Sequence, residues 1–137
     1  MAAGDYTKPL PIPDEDTQPY FEACKRGELT LQRCDACKTL RFEPDNICPK
    51  CLSDRFTWER LSGNGTVYTF SVVHHAYYPG FKSELPYVIA VVELAEGPRM
   101  LTNIIDCKPE LVKIGMPVKV TFKKCTEEIT LPYFVPA

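Results

Sequence analysis

The sequence predicts a mainly β protein with an N-terminal helix, a small metal-binding ribbon and a closed barrel of five strands. Two CxxC cysteine pairs, at 34–37 and 48–51, lie between short alternating segments. Beyond Gly63, five segments rich in β-branched and aromatic residues are separated by Gly-Pro and Pro-Gly turn signals. A length of 137 residues suits one compact domain or two very small ones.

Composition and charge argue against a membrane protein, a secreted protein and a nucleic-acid-binding protein. No apolar run reaches the ~20 residues of a membrane-spanning helix, and residues 1–13 lack the apolar core of a secretion signal. These features predict a cytoplasmic protein with no membrane partner. Residues 62–125 hold seven basic and five acidic side chains. That excess is too small for binding a phosphate backbone, so we expect no nucleic-acid partner.

Residues 1–27 are predicted to form an extended arm followed by a short helix. The alternate prolines of residues 9–13 exclude a helix there. Asp16 or Thr17 is the predicted N-cap, and Gly27 is the predicted end of the helix. The arm is either a disordered end or a strap laid over a partner.

Residues 28–61 are predicted to form the ribbon, with short strands at 29–31, 40–42 and 56–58. Each CxxC turn brings two sulfurs together, and the ten-residue gap between the pairs allows a hairpin that returns to the same place. Four thiolates form a closed tetrahedral site with no open position, so the metal is structural, one ion per chain. The predicted ligands are Cys34, Cys37, Cys48 and Cys51.

Iron competes with zinc for such a site, because soft thiolates accept either metal. Rubredoxin, an iron electron carrier, has similar turns with glycine just after the second cysteine. Lys38 and Leu52 occupy those positions here, which favours zinc. The three remaining cysteines stand alone and are interpreted as small buried hydrophobic residues.

Residues 62–137 are predicted to form the barrel and a C-terminal tail. A single helical turn is expected at 109–113. The predicted strands are 66–73, 87–94, 100–105, 118–122 and 129–135.

The loop at 74–87 is the most unusual surface feature of the predicted barrel. It carries Tyr77, Tyr78 and Phe81 beside Lys82, and His75 is a candidate for its rim. The aromatic side chains either fold back onto the barrel or contact a partner or an adenine-containing ligand. Tyr133 and Phe134 in the tail present the same choice.

We predict no catalytic residues. His74 and His75 are adjacent on a strand, so their rings point to opposite faces. No Ser/His/Asp or Cys/His set can be assembled from the sequence. We therefore expect the isolated chain to have no enzymatic activity.

Several motifs, taken in order, resemble a known family from residue 20 onward. They are QRCDAC at 32–37, CPKC at 48–51, GTVYTF at 65–70, VVEL at 91–94, IGMPV at 114–118 and PYFVP at 132–136. The combination resembles the acyl-CoA-associated zinc-ribbon/OB-fold proteins, formerly domains of unknown function.

The resemblance implies an N-terminal helix, a rubredoxin-like zinc ribbon and a five-stranded OB barrel. It also implies a non-catalytic accessory subunit of a thiolase-superfamily enzyme, an acyl-CoA thiolase (a transferase) or an aldolase, in a two-plus-two complex. A coenzyme A thioester would then lie at the partner interface, with Lys82 and Arg99 as candidate phosphate contacts. The alternatives are a hot-dog-fold enoyl-CoA hydratase as partner, or a single-stranded nucleic-acid binder.

Overall fold

The computed structural model describes residues 6–137 and confirms the predicted fold class. Short 3-10 turns occur at Pro79–Glu84 and Pro109–Leu111. The helix and strands are α1 (Gln18–Lys25), β1 (Thr30–Cys34), β2 (Leu40–Arg41), β3 (Phe56–Arg60), β4 (Asn64–Val73), β5 (Tyr87–Leu94), β6 (Arg99–Ile104), β7 (Pro117–Lys124) and β8 (Thr130–Pro136). Among the described residues, no helix is long and apolar enough to cross a membrane.

Helix α1 begins with a turn built by Asp14 rather than with a side-chain cap from Thr17. Thr17 is the N-cap residue, but its hydroxyl binds back to Asp14. Asp14 Oδ1 accepts from the amides of Asp16 and Thr17, at 3.0 and 2.9 Å. The Thr17 amide and hydroxyl lower the pKa of Asp14. At the other end, Gly27 has a φ of 76° and ends the helix as predicted.

The ribbon is a three-stranded antiparallel sheet in the order β2-β1-β3. Arg33 of β1 makes a bidentate ion pair with Glu59 of β3, at 2.9 and 2.8 Å. On the other face, buried Arg41 donates to Gln32 Oε1 at 2.9 Å. Side-chain pairs across the strands therefore hold a sheet too small to have a large apolar core.

The barrel is closed in the strand order β4-β5-β6-β8-β7, with β7 pairing back to β4. Alternation along β5 sends Val88, Ala90, Val92 and Leu94 into the core. The valine and leucine side chains each contribute ~1.5–3 kcal/mol when they leave water. Helix α1 covers part of the barrel, since its buried Tyr20 belongs to the same core cluster.

Strands β6 and β8 are parallel and meet at one residue pair, Ile104 with Phe134. The Ile105 amide donates to the Phe134 carbonyl at 2.9 Å. Phe134 is fully buried in the barrel core. The interpretation of Phe134 as a surface contact was therefore wrong. The alternation of β8 turns this side chain inward.

The described part of the arm lies against the barrel of its own chain. Lys8 Nζ is 2.8 Å from Glu84 Oε2. The Thr7 backbone passes so close to Gly80 that an added Cβ would lie 2.5 Å from the Thr7 oxygen. The arm is thus a strap over this chain's own barrel at these residues. The rest of the predicted arm, residues 1–5, lies outside the described residues.

Candidate metal centre and partner surface

The four cysteine sulfurs converge at one end of the ribbon. Sγ of Cys34 lies 3.5 Å from Sγ of Cys51, and Sγ of Cys37 lies 3.6 Å from Sγ of Cys48. All four sulfurs are within 4.8 Å of one another. A tetrahedron of four sulfurs at ~2.3 Å from zinc has edges of ~3.8 Å. The residues present therefore fit a tetrahedral zinc ion.

Two equivalent turns place these sulfurs. The Lys38 amide donates to the Cys34 carbonyl at 2.9 Å, and the Leu52 amide donates to the Cys48 carbonyl at 2.8 Å. Lys38 and Leu52 have φ angles of 64° and 67°, in the left-handed region where glycine is favoured. The turns thus form without glycine, so its absence does not separate zinc from iron here.

Hydrogen bonds lower the pKa of Cys34 and Cys37, whereas the pKa of Cys51 is raised. The hydroxyl and amide of Thr39, with the oxygen 3.2 Å from the sulfur, lower the pKa of Cys37 to about 6. The Ser53 amide lowers the pKa of Cys51, but the sulfurs of the other cysteines raise it to about 11. Four thiolates at these distances repel one another unless a cation shares their charge.

Burial is uneven around the cluster. Cys34 and Cys48 are buried, while Cys51 is exposed at the protein surface. Protein sulfurs take all four tetrahedral positions, so no position is left open for water or substrate. The arrangement therefore suits a structural ion rather than a catalytic one.

The aromatic turn, residues 75–84, divides into an exposed part and a packed part. Tyr77 and Tyr78 are 83% and 55% exposed, and the His75 ring packs edge-on against Tyr77 at 4.9 Å. Phe81 stacks on Tyr87 at 5.4 Å, with Lys8 Nζ 5.6 Å from the centre of its ring. Phe81 therefore folds back onto the barrel, whereas a partner or ligand contact by Tyr77 and Tyr78 stays a prediction.

The remaining candidate contacts occupy different places. Lys82 is exposed on the aromatic turn. Arg99 stacks its guanidinium 3.8 Å from the centre of the Tyr68 ring and binds Glu93 at 3.1 Å. Glu93 follows Tyr87 by six residues on β5, which is ~20 Å along a strand. The fold therefore does not bring Lys82 and Arg99 together at one phosphate.

The arm supplies contacts that the sequence pattern did not identify. Tyr133 is half-buried beside Tyr6 and Lys8 of the arm. Burial and the neighbouring Cys125 and Tyr133 raise the pKa of Tyr6. Three nearby prolines were the only signal in the arm, and they indicate an extended chain without naming what it contacts.

Cys24 is a buried thiol of α1. Burial raises its pKa to about 12, so the neutral form dominates near neutral pH. Cys125 is also buried, and its Sγ lies 3.6 Å from the Lys123 carbonyl oxygen. Both fit the interpretation of small buried side chains.

Two family models match consecutive parts of the chain. Residues 21–57 match the ChsH2 rubredoxin-like zinc ribbon domain, and residues 58–123 match the ChsH2 C-terminal OB-fold domain. The chain belongs to the ChsH2 family. The resemblance drawn from the motifs is thereby confirmed, because relatives in this family carry its former designation as a domain of unknown function, DUF35.

Relatives of this ChsH2-family chain are of two lengths. A probable enoyl-CoA hydratase alpha subunit from Thermomonospora curvata is 45% identical over 95% of the chain, but the chain spans only 40% of that relative. A DUF35 domain-containing scaffold protein from Methanocaldococcus jannaschii is 48% identical over 70% of the chain and 68% of the relative.

A solved structure described as the Ltp2-ChsH2(DUF35) aldolase contains a chain that is 42% identical to this one. The match covers 93% of this chain and 98% of that chain, with a TM-score of 0.83. Helix, ribbon and barrel therefore correspond over almost the whole length of both chains.

Proposed function

We propose that this chain is a zinc-containing accessory subunit of a thiolase-superfamily acyl-CoA enzyme, an aldolase or a thiolase. In this proposal it stabilises the complex and borders the acyl-CoA site, while the partner supplies the reacting groups. The observation that carries it is the 42% identity and near-complete coverage of the chain in the Ltp2-ChsH2(DUF35) aldolase structure.

The proposed zinc ion is held by Cys34, Cys37, Cys48 and Cys51. It joins the two cysteine turns of the ribbon and supplies no reactive position, since its four ligands come from the protein. This agrees with a supporting rather than a catalytic role for the chain.

The exposed aromatic side chains support a protein contact. Tyr77 and Tyr78 project from the aromatic turn, and the arm and Tyr87 hold Phe81 behind them. Buried tyrosines contribute strongly to interfaces because they desolvate a large area at low entropic cost. A turn that is already packed also loses little freedom on binding.

The first test uses the wild-type chain and the thiolase-fold subunit of its own host, mixed and separated by size exclusion. Replacing Tyr77 and Tyr78 together with alanine is expected to weaken the complex at least tenfold. Tyr68→Ala is the matched control, because Tyr68 is an exposed tyrosine at the Arg99 end of the barrel. Absence of any complex with the wild-type chain would overturn the proposed function.

A hot-dog-fold enoyl-CoA hydratase is the second candidate partner. It is favoured by the 45% identity to the probable enoyl-CoA hydratase alpha subunit, whose remaining length has no counterpart here. The same size-exclusion experiment with the host's hydratase subunit distinguishes the two. Co-elution with the hydratase but not with the thiolase-fold subunit would replace the first proposal with the second.

A further inference from the structure

An apolar groove runs along the junction of β6 and β8, and we call it the seam groove. Its volume is about 330 Å³. Residues 100–103 of β6 and 131–133 of β8 form its walls, and Tyr20, Phe21 and Phe42 border it from the helix and the ribbon. No charged side chain lines it among the described residues.

The seam groove exists because Pro132 prevents β8 from pairing further with β6. The Phe134 carbonyl accepts a hydrogen bond from the Ile105 amide. The backbone N–H and C=O groups of the even-numbered residues of β8 therefore point toward β6. In the same register, the amide of residue 132 would donate to the Leu101 carbonyl. Proline has no amide hydrogen, and the ladder stops at the single pair Ile104 with Phe134.

The β6 side of the seam groove is an open strand edge. The Leu94 amide donates to the Pro98 carbonyl, and this register directs the backbone groups of the even-numbered residues of β6 toward β5. The amide and carbonyl of Leu101 therefore point into the groove. Among the described residues the β6–β8 ladder does not reach Leu101, because its one residue pair is Ile104 with Phe134, and the Leu101 side chain is 63% exposed.

A second group at this edge is also unsatisfied. Thr102 is about nine-tenths buried and lines the groove, and its Oγ1 has no hydrogen-bond partner among the described residues. An unpaired buried hydroxyl destabilises the folded chain, so this edge is not fully satisfied by the chain's own groups.

The arm does not close this edge. It borders the groove at Pro11, and Pro9 lies over the neighbouring cavity, but neither proline can donate to a strand. No backbone hydrogen bond joins residues 6–13 to β6. The arm covers one end of the seam groove and leaves its strand edge available.

We propose that the seam groove receives an extended, uncharged segment of the partner subunit, which pairs with Leu101 as an added strand. This inference rests on the proposed function and names the surface used. An open edge supplies main-chain hydrogen bonds, and the apolar walls take alternate side chains of the added segment. The absence of basic side chains among the described residues of the groove argues against the phosphates of coenzyme A as the occupant.

Amide hydrogen exchange of the full chain tests the pairing directly. The Leu101 amide is expected to exchange quickly in the free chain and at least tenfold more slowly in the complex with the host's thiolase-fold subunit. An equal exchange rate in both states would overturn the inference. Slow exchange in the free chain would do the same, because the edge would then already be occupied without the partner.

Two variants make the test independent of one substitution. Pro132→Val supplies the missing amide, so β8 can pair with β6; we expect a higher melting temperature and at least tenfold weaker partner binding. Leu101→Lys places a charge at the exposed rim and is expected to weaken binding similarly without lowering the melting temperature. Pro136→Val is the control, because it changes the same strand outside the groove.

The outcomes separate the two proposals. A wild-type complex whose affinity is unchanged by Pro132→Val and Leu101→Lys would overturn the seam groove and leave the proposed function standing. A wild-type chain that forms no complex would overturn both.

Discussion

Two residues in the metal-site turns adopt a backbone conformation that costs energy. Lys38 and Leu52 each take a left-handed φ, at ~1–2 kcal/mol per non-glycine residue. Metal binding by four thiolates is worth ~10–16 kcal/mol in small zinc domains. Because the metal-binding free energy far exceeds the backbone strain, the turns persist with residues that the local conformation disfavours.

Replacing Leu52 with glycine should therefore stabilise the zinc-loaded protein. Relief of strain by ~1–2 kcal/mol exceeds the ~0.5–1 kcal/mol that glycine costs through unfolded-chain entropy, for a net gain of about 1 kcal/mol. Leu52 is 76% exposed, so little burial is lost. Urea unfolding of the zinc-saturated protein measures the change.

Lys50→Gly is the control for that substitution. Lys50 is exposed in the same turn, between Cys48 and Cys51, and its φ is not positive. Glycine there has no strain to relieve, so we expect a loss of ~0.5–1 kcal/mol. If both glycine substitutions changed the free energy of unfolding equally, the left-handed φ of Leu52 would not destabilise the folded protein.

The sequence predicts a site correctly where the residues that form it are close together along the chain. The four cysteines lie within eighteen positions of one another, so the pattern alone brought them together. The stacking of Arg99 on Tyr68 joins β6 to β4, and the inward position of Phe134 depends on the pairing of β8 with β6 and β7. Nothing in the immediate sequence reports those contacts.

At the scale of elements, the ribbon depends on its metal more than the barrel does. The longest strands of the ribbon have five residues. Side-chain ion pairs and hydrogen bonds join its neighbouring strands. Exposed ion pairs contribute only ~0–1 kcal/mol. Most of the continuous apolar core lies in the barrel, and the ribbon adds Leu29 and Leu31 to it. We infer that the ribbon would lose its structure before the barrel when the site is broken.

Cys48→Ser tests this dependence. Removing one thiolate is expected to lower the zinc content from one ion per chain to near zero and to unfold the ribbon or make the protein insoluble. Zinc analysis gives the content, and amide exchange across β1 and β3 reports the ribbon. Cys107→Ser, at a half-buried thiol outside the cluster, should keep its zinc. A folded Cys48→Ser ribbon without metal would contradict the prediction.

The bounds of the barrel strands could be predicted from alternation and turn residues. The order of the strands around the barrel could not. Predicted and observed barrel strands differ by two residues or fewer at every end, and the predicted strand 87–94 coincides with β5. The order β6-β8-β7 requires knowing that β8 inserts beside β6. Pro132, which opens the seam groove, is also recognisable only after that pairing is known.

At the scale of the whole molecule, the proposed partner surfaces adjoin one another. The seam groove and the cavity beneath the arm share Asn103, Leu131 and Tyr133. Phe81 of the aromatic turn borders the second cavity. One partner subunit could therefore cover the seam groove and the aromatic turn in a single interface. Obligate interfaces are large and apolar, which matches this surface.

This geometry leads to a prediction of stoichiometry. The family resemblance implies a two-plus-two complex, in which a two-fold partner dimer would present each surface twice. Because this chain offers one continuous partner surface, each partner subunit should bind one copy. We expect a two-plus-two complex, and co-expression should also rescue any poor solubility of the isolated chain.

Light scattering coupled to size exclusion measures that stoichiometry. The complex should exceed the mass of the partner dimer by twice the 15.5 kDa of this chain. Combining Tyr77→Ala, Tyr78→Ala and Leu101→Lys in one variant should return both proteins to their separate masses, because these residues lie on the exposed turn and the groove rim. The Tyr68→Ala variant should keep the full complex. A mass that exceeds the dimer by only one chain would contradict the two-fold arrangement, since a single copy would then have to block the second surface.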